Sequence, residues 1–241
     1  CIGLSVLDGS ETHVVRSFVC GGCSGILSVA VFMVLLPLFE NLFKKVSCFK
    51  FAELTEHRAK LIRKMIKNAP GTFNHSIVVS NIAESCASAI GEDALLARTC
   101  AYYHDIGKLR RPEFFKENQA DGVNPHDDLT PELSANIIRS HTQDGYNLIM
   151  KSRLPKEIAD VCLEHHGTLP ILYFYDKAKK FTDGEVDLMQ YCYAGPKPRT
   201  KIAAIIMILI KFQFPLLMMM ESVAFPVMQK SKFRDLPAWT M

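Results

Sequence analysis

The sequence has no internal repeat and no low-complexity tract, so the fold is not a stack of copies of one short unit. It also carries little net charge: 28 Lys and Arg against 25 Asp and Glu leave +3 over 241 residues. That balance gives no reason to expect a nucleic-acid polymer as partner, since the basic residues gather in one stretch and do not spread across a groove. Cysteine pairing is missing too. Eight Cys are scattered singly, mostly on apolar faces, which argues against a disulfide framework. Cys20-Gly-Gly-Cys23 has the form of a zinc or redox motif, but it falls inside an apolar run, where with Gly25 and Ser28 it reads as a small-residue packing face. The chain opens on Cys1 with no initiator Met, and its true start is expected upstream.

Charge is absent from Ser17 to Leu38, a run of 22 residues. A bilayer core takes about 20 helical residues, so this run is long enough to cross one. The polar segment before it fits an internal span better than a signal peptide. Asp8, Glu11 and Arg16 precede the run, whereas Lys44, Lys45, Lys50, Arg58, Lys60, Arg63, Lys64 and Lys67 follow it. The excess of positive charge places the following residues in the cytoplasm, with membrane lipid as a partner of the chain. The expected organisation is an outer loop and the end of an earlier span over residues 1–16, a transmembrane helix over 17–43 and a basic connector over 44–70. A helical bundle over 71–210 and a divergent tail over 211–241 follow. In the connector Leu54, Leu61, Ile62, Met65 and Ile66 form one helical stripe. Residues 202–220 are apolar apart from Lys211 and Gln213. A lysine at the bilayer centre costs about 2.5–3.5 kcal/mol, and Pro215 interrupts a helix, so this segment reads as a buried bundle helix and not a second span.

Within the bundle, histidines recur on helical apolar faces. His75 follows the breaker pair Pro70-Gly71 and shares a stripe with Val78, Val79, Ile82, Cys86 and Ala89. His104 continues a stripe through Ala97, Cys100 and Ala101, with Asp105 next to it. A third helix has Thr130 as N-cap, Pro131 at its first position and Glu132 in its first turn. Its inward face reads Ser134, Ile137, Ile138, His141 and Leu148. A fourth starts at Pro155, carries Ile158, Val161 and Cys162, and delivers His165 and His166 just before Gly167 ends it. One such histidine is most often a satisfied core residue; five on four successive helices are not explained that way. His13, His57 and His126 lie in polar stretches and are expected at the surface. The fold class is all-α.

Neutral imidazoles suit borderline transition metals, and a carboxylate such as Asp105 can bridge two ions about 3.5–4 Å apart. That set is suited to phosphodiester hydrolysis. Lys108, Arg110 and Arg111, then Glu117-Asn118-Gln119, follow the His-Asp pair as groups able to receive an anionic substrate. The segment 167–198, with Tyr173, Phe174 and Tyr175, is expected to cover the site.

His104-Asp105-Ile-Gly-Lys108, with His75 before it and His141 and His165-His166 after it, resembles the HD-domain metal-dependent phosphohydrolases. A longer run of motifs is similar to the membrane-anchored, seven-transmembrane HD-domain phosphodiesterases: Ala69-Pro-Gly-Thr-Phe-Asn-His75-Ser, Ala101-Tyr-Tyr-His-Asp-Ile-Gly-Lys108, Glu117-Asn-Gln119, Asn124-Pro-His-Asp127, Ser140-His141, Asp144-Gly145, Glu164-His-His-Gly-Thr168 and Gly195-Pro-Lys-Pro198. The likeness runs from about residue 17 to about residue 208. It implies an HD-domain helical bundle preceded by a transmembrane helix. The implied activity is hydrolysis of the bacterial second messenger cyclic di-AMP to linear pApA, and not of cyclic di-GMP, since no Gly-Tyr-Pro follows His165-His166. It implies two divalent transition-metal ions, manganese or iron, held by His75, His104, Asp105, His141, His165 and His166. His104 and Asp105 would be catalytic, with Lys108, Arg111 and Asn118 facing a cyclic dinucleotide.

The chain departs from that family at one ligand. The family closes its site with an Asp in an Ala-Asp-Ser-Val-Glu stretch after an Ala-Ala-Ile-Ile-Met helix, whereas here Ala203-Ala-Ile-Ile-Met207 runs into Ile-Leu-Ile-Lys-Phe. Glu221-Ser222-Val223 is a displaced echo. An insertion, a reading-frame error from about residue 208 or a real loss of the ligand would each produce this departure, and the poorly patterned run of Phe, Met, Pro and Lys that follows favours the frame error. Ala194, Arg199 and Ile202 are smaller departures in the preceding loop. Two functions are therefore expected in competition, a phosphodiesterase and an HD module that binds nucleotide but turns it over poorly for want of the last ligand.

Overall fold

Short polar caps and prolines set where the helices begin. In the computed structural model, which describes residues 11–43, 48–119, 124–181 and 184–212, the chain forms two compact units, Cys1–Ser47 and Cys48–Met241. The first unit contains α1 (Glu11–Phe43), a helix of 33 residues and therefore roughly 50 Å long. Its segment Val14–Leu36 has a mean hydropathy of 2.3 and buries none of its residues. By length and composition it is a candidate membrane span.

The second unit begins with α2 (Cys48–Thr55) and α3 (Lys60–Asn68), which break the expected single connector helix in two. Both pack into the bundle: Phe51, Leu54, Leu61, Ile62 and Met65 are buried, and Tyr103 Oη donates to the Leu54 carbonyl at 2.8 Å. Ile66 stays on the exposed side. α4 (Pro70–Ala89) has Pro70 in its first turn, where the missing N–H costs nothing. α5 (Ala94–Tyr103) is capped by Asp93, whose carboxylate accepts from Leu96 N at 2.9 Å. α6 (Pro131–Lys151) starts as the sequence predicts, with Thr130 Oγ1 accepting from Leu133 N at 3.3 Å. α7 (Lys156–Glu164), α8 (Leu172–Phe181) and a helical segment α9 over 201–212 complete the unit. Thr200 Oγ1 accepts from Ala203 N and caps α9. Among the described residues there is no strand, only an isolated antiparallel bridge between Pro170 and Cys192.

The core is made of Val79, Ala83, Ala97, Ala101, Ile106, Ile149, Ile158, Ala203 and Ile206, each without exposed surface. Fully burying one large aliphatic side chain contributes about 1.5–3 kcal/mol. One helical face differs from expectation. α4 turns Thr72, Phe73, Ser76, Ser80, Ala83 and Ala87 inward, while Val78 and Ile82 are 47% and 42% exposed. Small side chains beside Phe73 and Val79 allow α4 to pack close against α5, so size counts as well as hydrophobicity in selecting the buried face. Close approach recurs where Gly107 meets α6: a Cβ there would overlap the His141 carbonyl and the Gly145 amide. α6 can lie directly on the turn after Asp105 because position 107 is glycine, and Gly145 opposite it leaves little room, a Cβ there meeting Cys162 at 3.2 Å and the Gly107 amide at 3.3 Å.

Candidate metal centre

Four helices bring their histidines to one point. His75 projects from the second turn of α4, and His104 and Asp105 directly follow α5. His141 comes from the middle of α6, and His165 and His166 from the end of α7, where Gly167 turns the chain away at φ +54°. The left-handed backbone at that position is one that glycine adopts without strain.

Two groups of ligand atoms result. Asp105, His141, His165 and His166 form one and His75, His104 and Asp105 the other, with the atoms of each within 4.8 Å of one another. Asp105 belongs to both and divides its oxygens between them. Oδ1 lies 3.2 Å from His141 Nε2 and 3.5 Å from His165 Nε2. Oδ2 lies 3.1 Å from His104 Nε2 and 3.9 Å from His75 Nε2.

The hydrogen bonds of the imidazoles decide what this cluster can hold. His104 Nδ1 lies 2.7 Å from the Ala101 carbonyl, His141 Nδ1 2.6 Å from the Ile138 carbonyl and His165 Nδ1 3.2 Å from the Val161 carbonyl. A carbonyl only accepts, so each Nδ1 carries the hydrogen and each neutral ring presents a bare Nε2 lone pair to the centre. His141 Nε2 and His165 Nε2 face each other at 3.1 Å. Burial lowers His165 to a pKa of about 4, with His104 and His141 adding to the shift against Asp105. Burial and then His104 lower His75 to about 4 as well, and His166 falls well below the ordinary histidine range through burial and its neighbours His165 and His141. Burial pushes the Asp105 carboxyl up, but the positive charge that His104 carries when protonated, together with that of Lys108, outweighs it and holds the carboxyl well below the usual carboxylate range. The centre is thus a buried set of acceptors with few hydrogens to share. Consistent with this, His104 Nε2 and Asp105 Oδ1 are buried without a hydrogen-bond partner among the described residues. Such a donor-poor cluster suits divalent cations.

The remaining groups named from the sequence are arranged differently from one another. Lys108 Nζ turns inward, 2.8 Å from Asp105 Oδ2 and 2.7 Å from Glu117 Oε1. Burial works against its charge, yet the two carboxylates raise its pKa above the ordinary lysine value. Asn118 clasps the start of α4, accepting from Thr72 N at 3.2 Å and donating to Thr72 Oγ1 at 2.8 Å. Arg111 is exposed and lines a shallow cleft with Asn136, Ser140 and Asp144, the last of which is paired with Arg110 at 2.6 Å. His126 is not at the surface. It is 5% exposed, its Nε2 lies 2.9 Å from the Phe114 carbonyl, and its ring packs between Phe114 and Phe174. Those aromatic neighbours are distant in sequence, which is why the polar stretch around His126 was misleading. His57 is exposed as expected, while His13, the tail over 213–241 and Glu221 lie outside the residues whose side chains are described.

Sequence patterns did not reveal two supports of the centre. Tyr193 stacks on His166 with ring centroids 4.2 Å apart and planes 16° from parallel. Glu164, 2% exposed and adjacent to His165, accepts from Arg199 Nε at 2.6 Å and from Arg199 N at 3.0 Å. The segment between Tyr193 and Arg199 is thereby pinned to the end of the ligand-bearing helix at both of its ends. Gly195 passes so close to Leu163 that a Cβ would overlap its carbonyl. Among the described residues neither ligand group takes a side chain from α9.

The HD domain family model matches residues 72–209, the span that contains every one of these ligands. The chain belongs to the HD-domain family. Cyclic-di-AMP phosphodiesterase PgpH of Listeria monocytogenes serotype 1/2a (strain 10403S) is 46% identical over 190 residues, which are 79% of this chain and 26% of that protein. PgpH of Bacillus subtilis (strain 168) is 45% identical over 186 residues, 77% of this chain and 26% of that protein. The chain therefore spans about a quarter of the length of these relatives. The crystal structure of the L. monocytogenes PgpH HD domain in complex with cyclic-di-AMP superposes with a TM-score of 0.61 at 49% identity, covering 64% of this chain and 72% of that one. HD-family membership and an Asp105-centred ligand cluster thus coincide on the same helices.

Proposed function

We propose that the bundle is a divalent-metal phosphodiesterase that opens cyclic di-AMP to linear pApA. The observation that carries this reading is the pair of ligand groups joined through Asp105, in a chain 49% identical to an HD domain crystallised with that nucleotide. His75, His104 and Asp105 would hold one ion, and Asp105, His141, His165 and His166 a second. The mixture of imidazole and carboxylate donors suits manganese or iron. A pair of such ions supplies Lewis acidity, strengthening water as a nucleophile at neutral pH and withdrawing charge from a phosphoryl oxygen.

The side chains supply the rest. Asp105 stays ionised, and the carbonyl bonds to Nδ1 of His104, His141 and His165 keep the opposite nitrogens aimed at the centre. Water adds across one P–O bond of the dinucleotide ring, and the departing ribose oxygen takes a proton, leaving a terminal phosphate and the second phosphodiester intact. Arg111, which makes no ion pair among the described residues, is the cation open to a substrate phosphate. Lys108 and Asn118, whose polar ends already meet Asp105, Glu117 and Thr72, act first by fixing Asp105 and the start of α4. α1 anchors the chain in lipid, and the Lys/Arg excess after it assigns the bundle to the cytoplasm.

The test is metal analysis of the purified chain together with chromatography of products from cyclic di-AMP and cyclic di-GMP. Two ions per chain and pApA as the preferred product are expected. A metal-free protein, or turnover only of another nucleotide, sinks the reading. A second reading is a nucleotide-binding HD module of low turnover, favoured by the lack of any α9 side chain in the ligand groups. Tight cyclic di-AMP binding with bound metal and negligible pApA would select it.

A further inference from the structure

A cavity of 710 Å³ lies away from the His/Asp centre, between the turn joining α2 to α3 and the C-terminal end of α6, with Tyr103 on its lining. Its volume falls within the range of small-ligand sites, about 300–1,000 Å³. Five cations line it: Arg58, Lys60 and Lys64 from one wall, Lys151 and Arg153 from the other. Against them stand Glu53 and Glu56, and Glu53 is held by Lys50 at 3.0 Å.

None of the five cations makes an ion pair among the described residues. Cations elsewhere on the bundle do find partners, as Arg98 with Glu84, Lys156 with Asp160 and Lys201 with Glu92. The helix dipole accounts for Lys151 and Arg153, at the C-terminal end of α6, but not for Lys60, in the first turn of α3, where a cation is disfavoured. Lys60 and Lys64 are also one turn apart on one face, a like-charge spacing that costs stability without a counter-charge.

Arg153 adds an independent observation. It sits at φ 57°, the one non-glycine residue with positive φ among those described. Its N–H donates to Met150 O at 3.1 Å and Leu154 N–H to Ile149 O at 3.2 Å, the closing bonds of a helix end at which glycine is the unstrained choice. A left-handed arginine there carries backbone strain and lines the cavity. Arginine and lysine side chains lining one cavity from two elements are the donor set for phosphate oxygens.

The geometry points to a binding site for a phosphate-bearing anion in this cavity, supplied either by an anionic phospholipid headgroup or by a soluble polyphosphate. The site is separate from the proposed metal centre and does not rest on the phosphodiesterase reading.

Lysine acetylation followed by mass spectrometry tests it on the full chain. In one arm the detergent-solubilised protein is titrated with inorganic pyrophosphate. In the other it is placed in nanodiscs of phosphatidylcholine alone or of phosphatidylcholine with phosphatidylglycerol. Acetylation of Lys60, Lys64 and Lys151 is expected to slow by about fivefold in one arm, while Lys67 and Lys116, outside the cavity, keep their rates. Slowing by pyrophosphate identifies a soluble ligand; slowing only with phosphatidylglycerol identifies the headgroup. Arg153→Gly relieves the backbone and so keeps the fold while removing the guanidinium, and it should weaken the protection. Unchanged rates in both arms, equal slowing at Lys67, or full protection in the Arg153→Gly chain overturns the site.

Discussion

His141 and His165 meet through their Nε2 atoms at 3.1 Å, while the Nδ1 of each ring is turned to a carbonyl of its own helix. Two lone pairs this close repel unless a cation lies between or beside them, and Asp105 Oδ1, 3.2 and 3.5 Å away, adds a third acceptor. Metal should therefore stabilise the folded bundle. Ligand at a hundredfold excess over its dissociation constant contributes about 2.7 kcal/mol. The thermal midpoint of the chelator-treated protein is expected to rise when manganese is restored, read by calorimetry. An unchanged midpoint would mean that protons already satisfy the cluster.

The same burial gives the metal-free protein an acid limit. His75 and His165 titrate at about 4 when folded and near 6.5 when unfolded. Between those values the unfolded chain binds more protons, so stability falls as pH drops from about 6.5 towards about 4, and these two groups add no pH dependence above 6.5. A depression of this size corresponds to on the order of 3 kcal/mol per group. Denaturant midpoints at a series of pH values check the sign; a midpoint flat from pH 7 to pH 4 contradicts it.

Removal of a single ligand should separate chemistry from folding. In Asp105→Ala the carboxylate common to both groups is lost, and His104→Ala removes one ring of the smaller group together with its contact to Asp105 Oδ2 and its bond to its own helix. Each variant is expected to lose more than about 100-fold in cyclic di-AMP turnover while far-ultraviolet dichroism stays close to that of the parent. Near-normal turnover in either would place the reaction elsewhere.

What could be read in advance follows from which forces are local. Caps, prolines and the 3.6-residue period are local, so Thr130, Pro131 and the positions of His104, His141 and His165 were legible before any fold was known. The inward face of α4 was not, because hydrophobicity favoured Val78 and Ile82 whereas close packing on α5 required Ser76, Ser80 and Ala83. The partners of Lys108 and Asn118 depend on how the loop after Asp105 folds back on Thr72, a contact across 46 residues. Tyr193 on His166 and Arg199 on Glu164 are likewise long-range: Glu164, Gly195 and Arg199 stood out in the sequence, but their pairing across the fold did not.

Glu164 and Arg199 make a second test of that long-range support. Glu164→Ala removes both acceptors that Arg199 uses through its side chain and its backbone N–H. The segment that carries Tyr193 then keeps, at its Arg199 end, only the longer ion pair of Arg199 with Asp160 at 3.7 Å. Expected results are a melting temperature lower by several degrees, faster amide exchange over residues 193–200 and about tenfold weaker metal affinity, since the neighbours of a ligand commonly tune it by that amount. Arg199→Lys, which keeps the charge and the backbone N–H bond to Glu164 but loses the Nε bond, should weaken the protection less than Glu164→Ala does. Parent-like exchange in Glu164→Ala would show that the stack on His166 holds the segment unaided.

The last test concerns the end of α9. Ala203 and Ile206 bury themselves in the bundle and Met207 approaches Gly167 beside His166, so the helix runs towards the centre, yet Ile-Leu-Ile-Lys-Phe follows where the resemblance implies an Asp. An ion that has Asp105 but lacks this second anionic ligand loses part of its charge compensation and part of its geometric constraint. Two-ion hydrolysis acts on the attacking and the leaving oxygen together, whereas nucleotide binding also draws on Arg111, so turnover should suffer far more than affinity. Replacing residues 208–241 with an Ala-Asp-Ser-Val-Glu continuation is expected to raise turnover of cyclic di-AMP by about 100-fold or more, with nucleotide affinity changed by less than about tenfold, and to increase the number of ions retained through dialysis. Equal turnover and equal metal content in the two chains would show that a group already present in the native sequence completes the site.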